Sequence, residues 1–189
     1  MAAADTSQRI LDIAERLVQT RGYNGFSYAD IADALHVTKA SLHYHFPAKA
    51  DLGARLIERY ERNFVAALER IDAEGKDPRD KLRRYAALFE DVLRDNRMCL
   101  CGMLAAEFGT LPKPMREDMR HFFDENERWL VGVLQQGKRE KVLKFSGSAA
   151  EVAQALIGTL EGAMMISRSY GDVARFRAAS DRVLGDIAS

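Results

Sequence analysis

Residues 27–52, SYADIADALHVTKASLHYHFPAKADL, decide the fold of this 189-residue chain. Ser27 and Asp30 are spaced as a helix-capping pair, hydroxyl and carboxylate each able to take a backbone N–H that the first turn leaves free. Ile31, Ala32 and Leu35 then fall on one face of a short helix. His36-Val37 carries the chain out of it, and Thr38 caps a second helix in which Leu42 and Phe46 point inward before Pro47 stops it. That second helix is only about two turns long. With Val37, Leu42 and Phe46 turned inward, the outward residues are Thr38, Lys39, Ser41, His43, Tyr44 and His45, which are donors and include no acid. Such a helix suits the major groove of double-stranded DNA, where base edges offer mostly acceptors and the backbone offers phosphates.

Charge supports this locally and not globally. The 28 basic and 28 acidic residues cancel, yet no carboxylate occurs between Asp33 and Asp51. Lys39, Lys49 and three of the four histidines lie in that interval, a positive island that would receive phosphate. Outside it the pattern is helical throughout, with no competing alternation of strand type. Ile10, Ile13, Ala14, Leu17 and Val18 mark the first helix. A long fourth helix carries Leu52, Leu56, Tyr60, Phe64, Leu68 and Ile71, and Gly75 and Pro78 close it. Leu82 to Leu93 give a fifth and Leu100 to Phe108 a short sixth; Met115 to Leu134 give a seventh. An eighth is capped by Ser148 and Glu151, and a ninth runs from Val173 to Ile187. The expectation is an all-α protein of about nine helices: a three-helix helix-turn-helix domain over residues 5–50, with the turn motif at 27–46, and a helical effector-binding and dimerisation domain over 51–189. A hydrophobic content of 47% is ample for the second core.

The segment from Gln8 to Leu56 resembles the DNA-binding domain of the TetR family of transcriptional regulators. The likeness rests on Arg21-Gly22-Tyr23, Gly25-Phe26-Ser27, Asp30-Ile31-Ala32, the run Val37 to Phe46, and Lys49 with Leu52. It implies that Tyr44 and Lys49 hold phosphates, and that Thr38, Lys39, Ala40, Ser41 and His43 approach phosphates or base edges. Ser27, Tyr28 and His45 complete the candidate DNA-binding set. His43 and Lys39 suit guanine, but a single short side chain rarely fixes a base without its neighbours and the DNA shape. Ala48 and Ala50 depart from the family, which has a capping residue and an acid there more often; a weaker cap on the fourth helix follows, by roughly 0.5 to 2 kcal/mol.

The resemblance also implies a homodimer, an inverted-repeat operator, repression and release by a small-molecule effector. On the eighth helix Val152, Ala155, Leu156, Thr159, Leu160 and Ala163 share one face and Gly158 and Gly162 mark another. Glycines four apart let a second helix approach closely, and each costs about 1 kcal/mol in a helix interior without such packing. The candidate dimer surface is Trp129, Val152, Ala155, Gly158, Thr159, Gly162, Met165 and Phe176. The alternative is that the glycines pack inside one subunit. Methionines and aromatics in the body suit an adaptable apolar pocket, and the candidate effector or sensor set is Cys99, Met103, Glu107, Phe108, Met119, Phe122, Trp129 and Met164. Ordinary core packing of these residues is the other reading.

Arg97 to Glu107 is similar to an electrophile-responsive branch of the same family, in which a cysteine matching Cys99 is a thiol sensor. Arg97, a nearby helix N-terminus and the absence of carboxylates from Asn96 to Ala106 would lower a thiol pKa. A reactive Cys99 and a buried, inert one both stand. Cys101 lies about 200° round the helix from Cys99, so the pair suits neither a local disulfide nor a shared metal face.

No metal set is expected, since His43 and His45 point apart, and no cofactor. Phosphate loops, HExxH and GxSxG are absent, so no enzyme is expected. A span of about 18 apolar residues is missing, MAAADTSQR lacks the apolar core of a signal peptide, and two cysteines make no disulfide scaffold. The expected location is the cytoplasm, without a membrane partner. A DNA-binding repressor is the favoured function, and a helical thiol-dependent electrophile scavenger is the alternative.

Overall fold

The structure, a computed structural model, describes residues 3–187. The described residues form nine α-helices and no strand: α1 (Ala3–Arg21), α2 (Tyr28–Leu35), α3 (Lys39–His45), α4 (Lys49–Glu74), α5 (Pro78–Arg94), α6 (Leu100–Ala106), α7 (Lys113–Arg139), α8 (Ala149–Tyr170) and α9 (Val173–Ile187). The sixth helix is shorter than its sequence suggests, because a 3-10 turn takes over at Phe108–Thr110.

The chain divides into two compact units. One holds the residues up to 62 together with 99–121, and the other holds 63–98 with the residues from 122 on, so α4 and α7 contribute to both.

In the first unit, Ile10, Ala14 and Val18 of α1 are buried with Ile31 and Leu35 of α2, Leu42 of α3, and Leu52 and Leu56 of α4. A seven-residue helix such as α3 cannot persist alone. The fully buried Leu42 anchors it, and Thr38 Oγ1 caps it by accepting from Ser41 N at 3.2 Å. His36 adopts the left-handed conformation at φ 55°, and its N–H reaches back to the Ala32 and Asp33 carbonyls. That turn ends α2 and redirects the chain into α3. Arg59 of α4 is buried and pairs with Asp12 at 2.6 Å and Glu15 at 2.5 Å, tying α4 to α1.

The second unit is built around α5, α8 and α9. Tyr85 and Phe89 join Phe64 and Phe122 in an aromatic cluster, with Phe64 edge-on to Phe122 at 5.2 Å between centroids. Leu156, Leu160 and Met164 of α8 are buried with Phe176 and Leu184 of α9. The capping box at Ser148 and Glu151 is present, and Gly171, at φ 64°, closes α8 two residues before α9 begins. Glu90 of α5 pairs with Arg177 of α9 at 2.7 Å. Burial alone would raise the pKa of Glu90, but hydrogen bonds and charge from Arg177 and Arg94 hold it below the usual range.

By length and composition α8 is apolar enough to cross a membrane, although Glu151, Glu161 and Arg168 interrupt it, and its outward side includes the exposed Ala155, Gly158, Met165 and Ile166.

Candidate nucleic-acid interface

Local chemistry builds the outward side of the helix pair. Ser27 N and Ser27 Oγ each donate to Asp30 Oδ2 at 2.8 Å, and Ser27 Oγ also accepts from Ala29 N at 3.2 Å. The two bonds to the carboxylate, the Ser27 backbone N–H first, hold the Asp30 carboxyl below its ordinary range. Arg21 at the end of α1 pairs with the same carboxylate at 3.2 Å. With α2 and α3 fixed, Lys39, Ala40, His43 and Tyr44 are exposed, and Ser41 and His45 are half-buried. Tyr44 is 80% exposed, with its ring edge-on to His45 at 5.2 Å.

Three of the residues expected to meet DNA also have partners within the chain. Tyr28 is buried, and its hydroxyl donates to the Phe46 carbonyl at 2.8 Å. Burial, with a smaller push from Asp51, raises its pKa to about 12. Tyr28 therefore fixes the end of α3. Lys49 donates to the Tyr23 carbonyl at 2.6 Å and to the Phe26 carbonyl, and its ammonium lies 4.1 Å from the centre of the Phe26 ring. Desolvation lowers its pKa. It clamps the α1–α2 loop.

His43 is the third. Its ring packs on Tyr28 at 4.8 Å, and its Nδ1 lies 3.1 Å from the Pro47 carbonyl. A carbonyl only accepts, so Nδ1 carries the proton of that contact and Nε2 is the ring nitrogen it leaves for another partner. Phe26, Ser27, Tyr28, His43 and Lys49 line a hollow of about 260 Å³ on this side. At the head of α4, Ala48 supplies no side-chain cap, but Asp51 Oδ2 accepts from Ala48 N at 2.9 Å, so half of a capping box survives.

The candidate effector residues split between the units. In the first, Cys99 and Met119 are buried and Met103 and Phe108 are half-buried. Cys99 Sγ caps α6, accepting from Gly102 N at 3.5 Å. Cys101 is buried as well, so neither thiol is presented to solvent. Phe108 lies under the Arg116 and Arg120 guanidiniums. Glu107 turns to backbone amides of the α1–α2 loop. In the second unit, Phe122 and Met164 are core residues. Trp129 stacks on Tyr85 at 5.5 Å, and its indole N–H donates to Asp72 Oδ2 at 2.9 Å.

The second unit also carries the candidate subunit surface. An added Cβ on Gly158 or Gly162 meets nothing within 4 Å, which excludes their packing inside this chain. Phe176 is fully buried in its own unit and offers a second copy nothing. Its apolar position on α9 faces inward. Ala155, Gly158 and Met165 are exposed, and Val152, Thr159 and Gly162 are partly so. Ile166 and Tyr170, 57% and 65% exposed, continue the four-residue spacing of the glycines. Arg175 of α9 stacks over Tyr170 at 3.8 Å.

A short, capped, acid-free helix presented beside a second one defines a helix-turn-helix protein of the DNA-binding kind. Residues 10–56 match the family described as bacterial regulatory proteins, tetR family, and residues 78–183 match the tetracyclin repressor-like C-terminal domain. The chain belongs to the TetR family of transcriptional regulators. It is 30% identical over 134 residues to the transcriptional regulator AcuR of Cereibacter sphaeroides, a match spanning 69% of this chain and 56% of AcuR. A crystal structure of a TetR-family regulator from Agrobacterium tumefaciens covers all of both chains at 33% identity, with a TM-score of 0.96. The reduced form of Escherichia coli NemR covers 98% of each at 25% identity, with a TM-score of 0.83.

Proposed function

We propose that this regulator is a cytoplasmic homodimeric repressor that binds an inverted-repeat operator in double-stranded DNA and leaves it when a small hydrophobic or electrophilic effector engages the body. The observation that carries the reading is the outward side of α3, where Lys39, Tyr44 and His43 stand exposed and no carboxylate competes with phosphate. Lys39, Ala40, Ser41, His43, Tyr44 and His45 are the proposed contacts of α3, flanked by the two capping residues Ser27 and Thr38. Tyr28 and Lys49 hold that helix in place. The apolar outward stripe of α8 supports a second copy as partner. Two recognition helices related by a two-fold axis then meet major grooves one helical turn apart, or a small multiple of it. The effector releases DNA only by binding better to the conformation in which these helices are misplaced.

The test is selection of retained fragments from a genomic duplex library, with and without a panel of quinones and aldehydes. An inverted repeat lost on electrophile treatment and retained in Cys99→Ser supports regulator and thiol sensor together. An inverted repeat indifferent to electrophiles directs the search to reversible apolar ligands. No enriched site at low salt overturns the reading.

A further inference from the structure

The α1–α2 loop is gripped from two sides by opposite charges. Glu107, one residue past α6, accepts the Tyr23 N–H at 2.5 Å and the Asn24 N–H at 3.2 Å. Beside it, Thr110 Oγ1 accepts from Asn24 Nδ2 at 2.7 Å, while the Thr110 hydroxyl donates to the Glu107 carbonyl at 2.9 Å. From the other side Lys49 donates to the Tyr23 and Phe26 carbonyls. The Glu107 charge partly offsets the desolvation of Lys49.

Successive amides that follow a residue of positive φ form a concave anion seat. Here that residue is Gly22, at φ 84°, and a Cβ on it would come within 2.9 Å of Glu107 Oε1. The chain supplies the anion for its own seat. Because Ser27 caps α2 one residue after Phe26, the loop sets where α2 starts, and the Tyr28 hydroxyl passes that position on to the end of α3.

Resting on the DNA-binding reading above, we propose that Glu107 is a positioning residue for operator binding. Its carboxylate, seated on the Tyr23 and Asn24 amides, fixes the α1–α2 loop and is the point through which α6 acts on the recognition helix. It touches no DNA.

The test compares Glu107→Ala, Glu107→Gln and the unchanged chain on the duplex recovered by library selection. Glu107→Ala lowers affinity on the order of tenfold, the scale of one charge-assisted hydrogen bond. The slope of affinity against salt stays the same, because no phosphate contact is lost. Formate or acetate, added at constant ionic strength, restores binding to the alanine variant by refilling the seat and leaves the parent unaffected. Amide exchange at Tyr23 and Asn24 accelerates in both variants, with the interiors of α1 and α4 as protected as before. Unchanged affinity in Glu107→Ala overturns the proposal, as does a loss that small carboxylates fail to rescue. If Glu107→Ala fails to fold, Glu107→Gln keeps the size and one accepting oxygen but not the charge, so weaker operator binding at an unchanged salt slope is expected of it and unchanged affinity overturns the proposal. If the parent protein selects no duplex, the DNA-binding reading fails instead. Formate-dependent protection of the Tyr23 and Asn24 amides in Glu107→Ala then still decides whether the seat exists.

Discussion

The outward sides of α3 and α8 both expose what a self-sufficient chain would cover, yet they are unlike in every other respect. α3 has seven residues, one buried leucine as anchor, and a surface of lysine, imidazole and phenol. α8 has 22 residues, its own buried face, and an outward stripe of Gly158, Gly162, Ile166 and Tyr170. The first lacks a counter-charge and the second lacks apolar cover. Under the proposed function each is finished by a different partner, a polyanion in one case and a second copy of the chain in the other.

The strongest way to break this comparison is Ile166→Glu. The side chain is more than half exposed in one chain, so the subunit is expected to fold. The species in sedimentation is expected to fall to the mass of one chain. If two α3 helices act jointly on an inverted repeat, operator affinity should then drop by about 10²- to 10⁴-fold, the range avidity supplies. A monomer that keeps full affinity would show the two surfaces to be independent.

Lys39→Ala is the complementary test, aimed at α3 alone. It should weaken operator binding and reduce the slope of log affinity against log salt by about one if the ammonium meets a phosphate. The dimer should be untouched. An unchanged slope with altered base preference would move Lys39 from the backbone to a base edge.

The difference between the two surfaces also explains what could be read in advance. The turn motif was legible because its signals are local: a capping pair three residues apart, a two-residue exit, a proline stop. The outward set of α3 followed from periodicity once Leu42 and Phe46 were turned inward. What escaped was the occupation of those side chains by carbonyls. Tyr28 meets the carbonyl of Phe46, His43 that of Pro47, and Lys49 those of Tyr23 and Phe26. Every residue has a carbonyl, so no letter in the sequence marks the one that will be in reach. Glu107 escaped for the same reason, since its partners are amides of residues 23 and 24. Phe176, expected at the dimer surface, is core because an apolar position on α9 does not by itself say which side of the helix faces in.

A smaller effect separates the making of α3 from its use. Thr38→Ala removes the cap on Ser41 N and should lower stability by about 1 kcal/mol, measured by denaturant unfolding. Because the cap lies in the first unit, sedimentation of the dimer should be unchanged while operator binding weakens.

The smallest effect is expected at Asp118, outside both surfaces, and its value is as a control. Burial, followed by the charges of Glu61 and Glu117, raises the pKa of this carboxyl above the ordinary 3.8, against a lowering from His121. His121 itself lies 2.6 Å from Glu61. The sign follows from linkage: a carboxyl whose pKa is raised on folding favours the native state while protonated. That advantage is complete below the unfolded pKa and is lost as pH rises through the folded one. At neutral pH the folded chain therefore carries an ionised group in a place that disfavours it. Asp118→Asn should raise the thermal midpoint slightly at pH 7, and the gain should shrink as pH approaches 4. Operator affinity and dimer mass should not move. A gain that persists undiminished into acid would mean that packing, rather than charge, set the cost at this position.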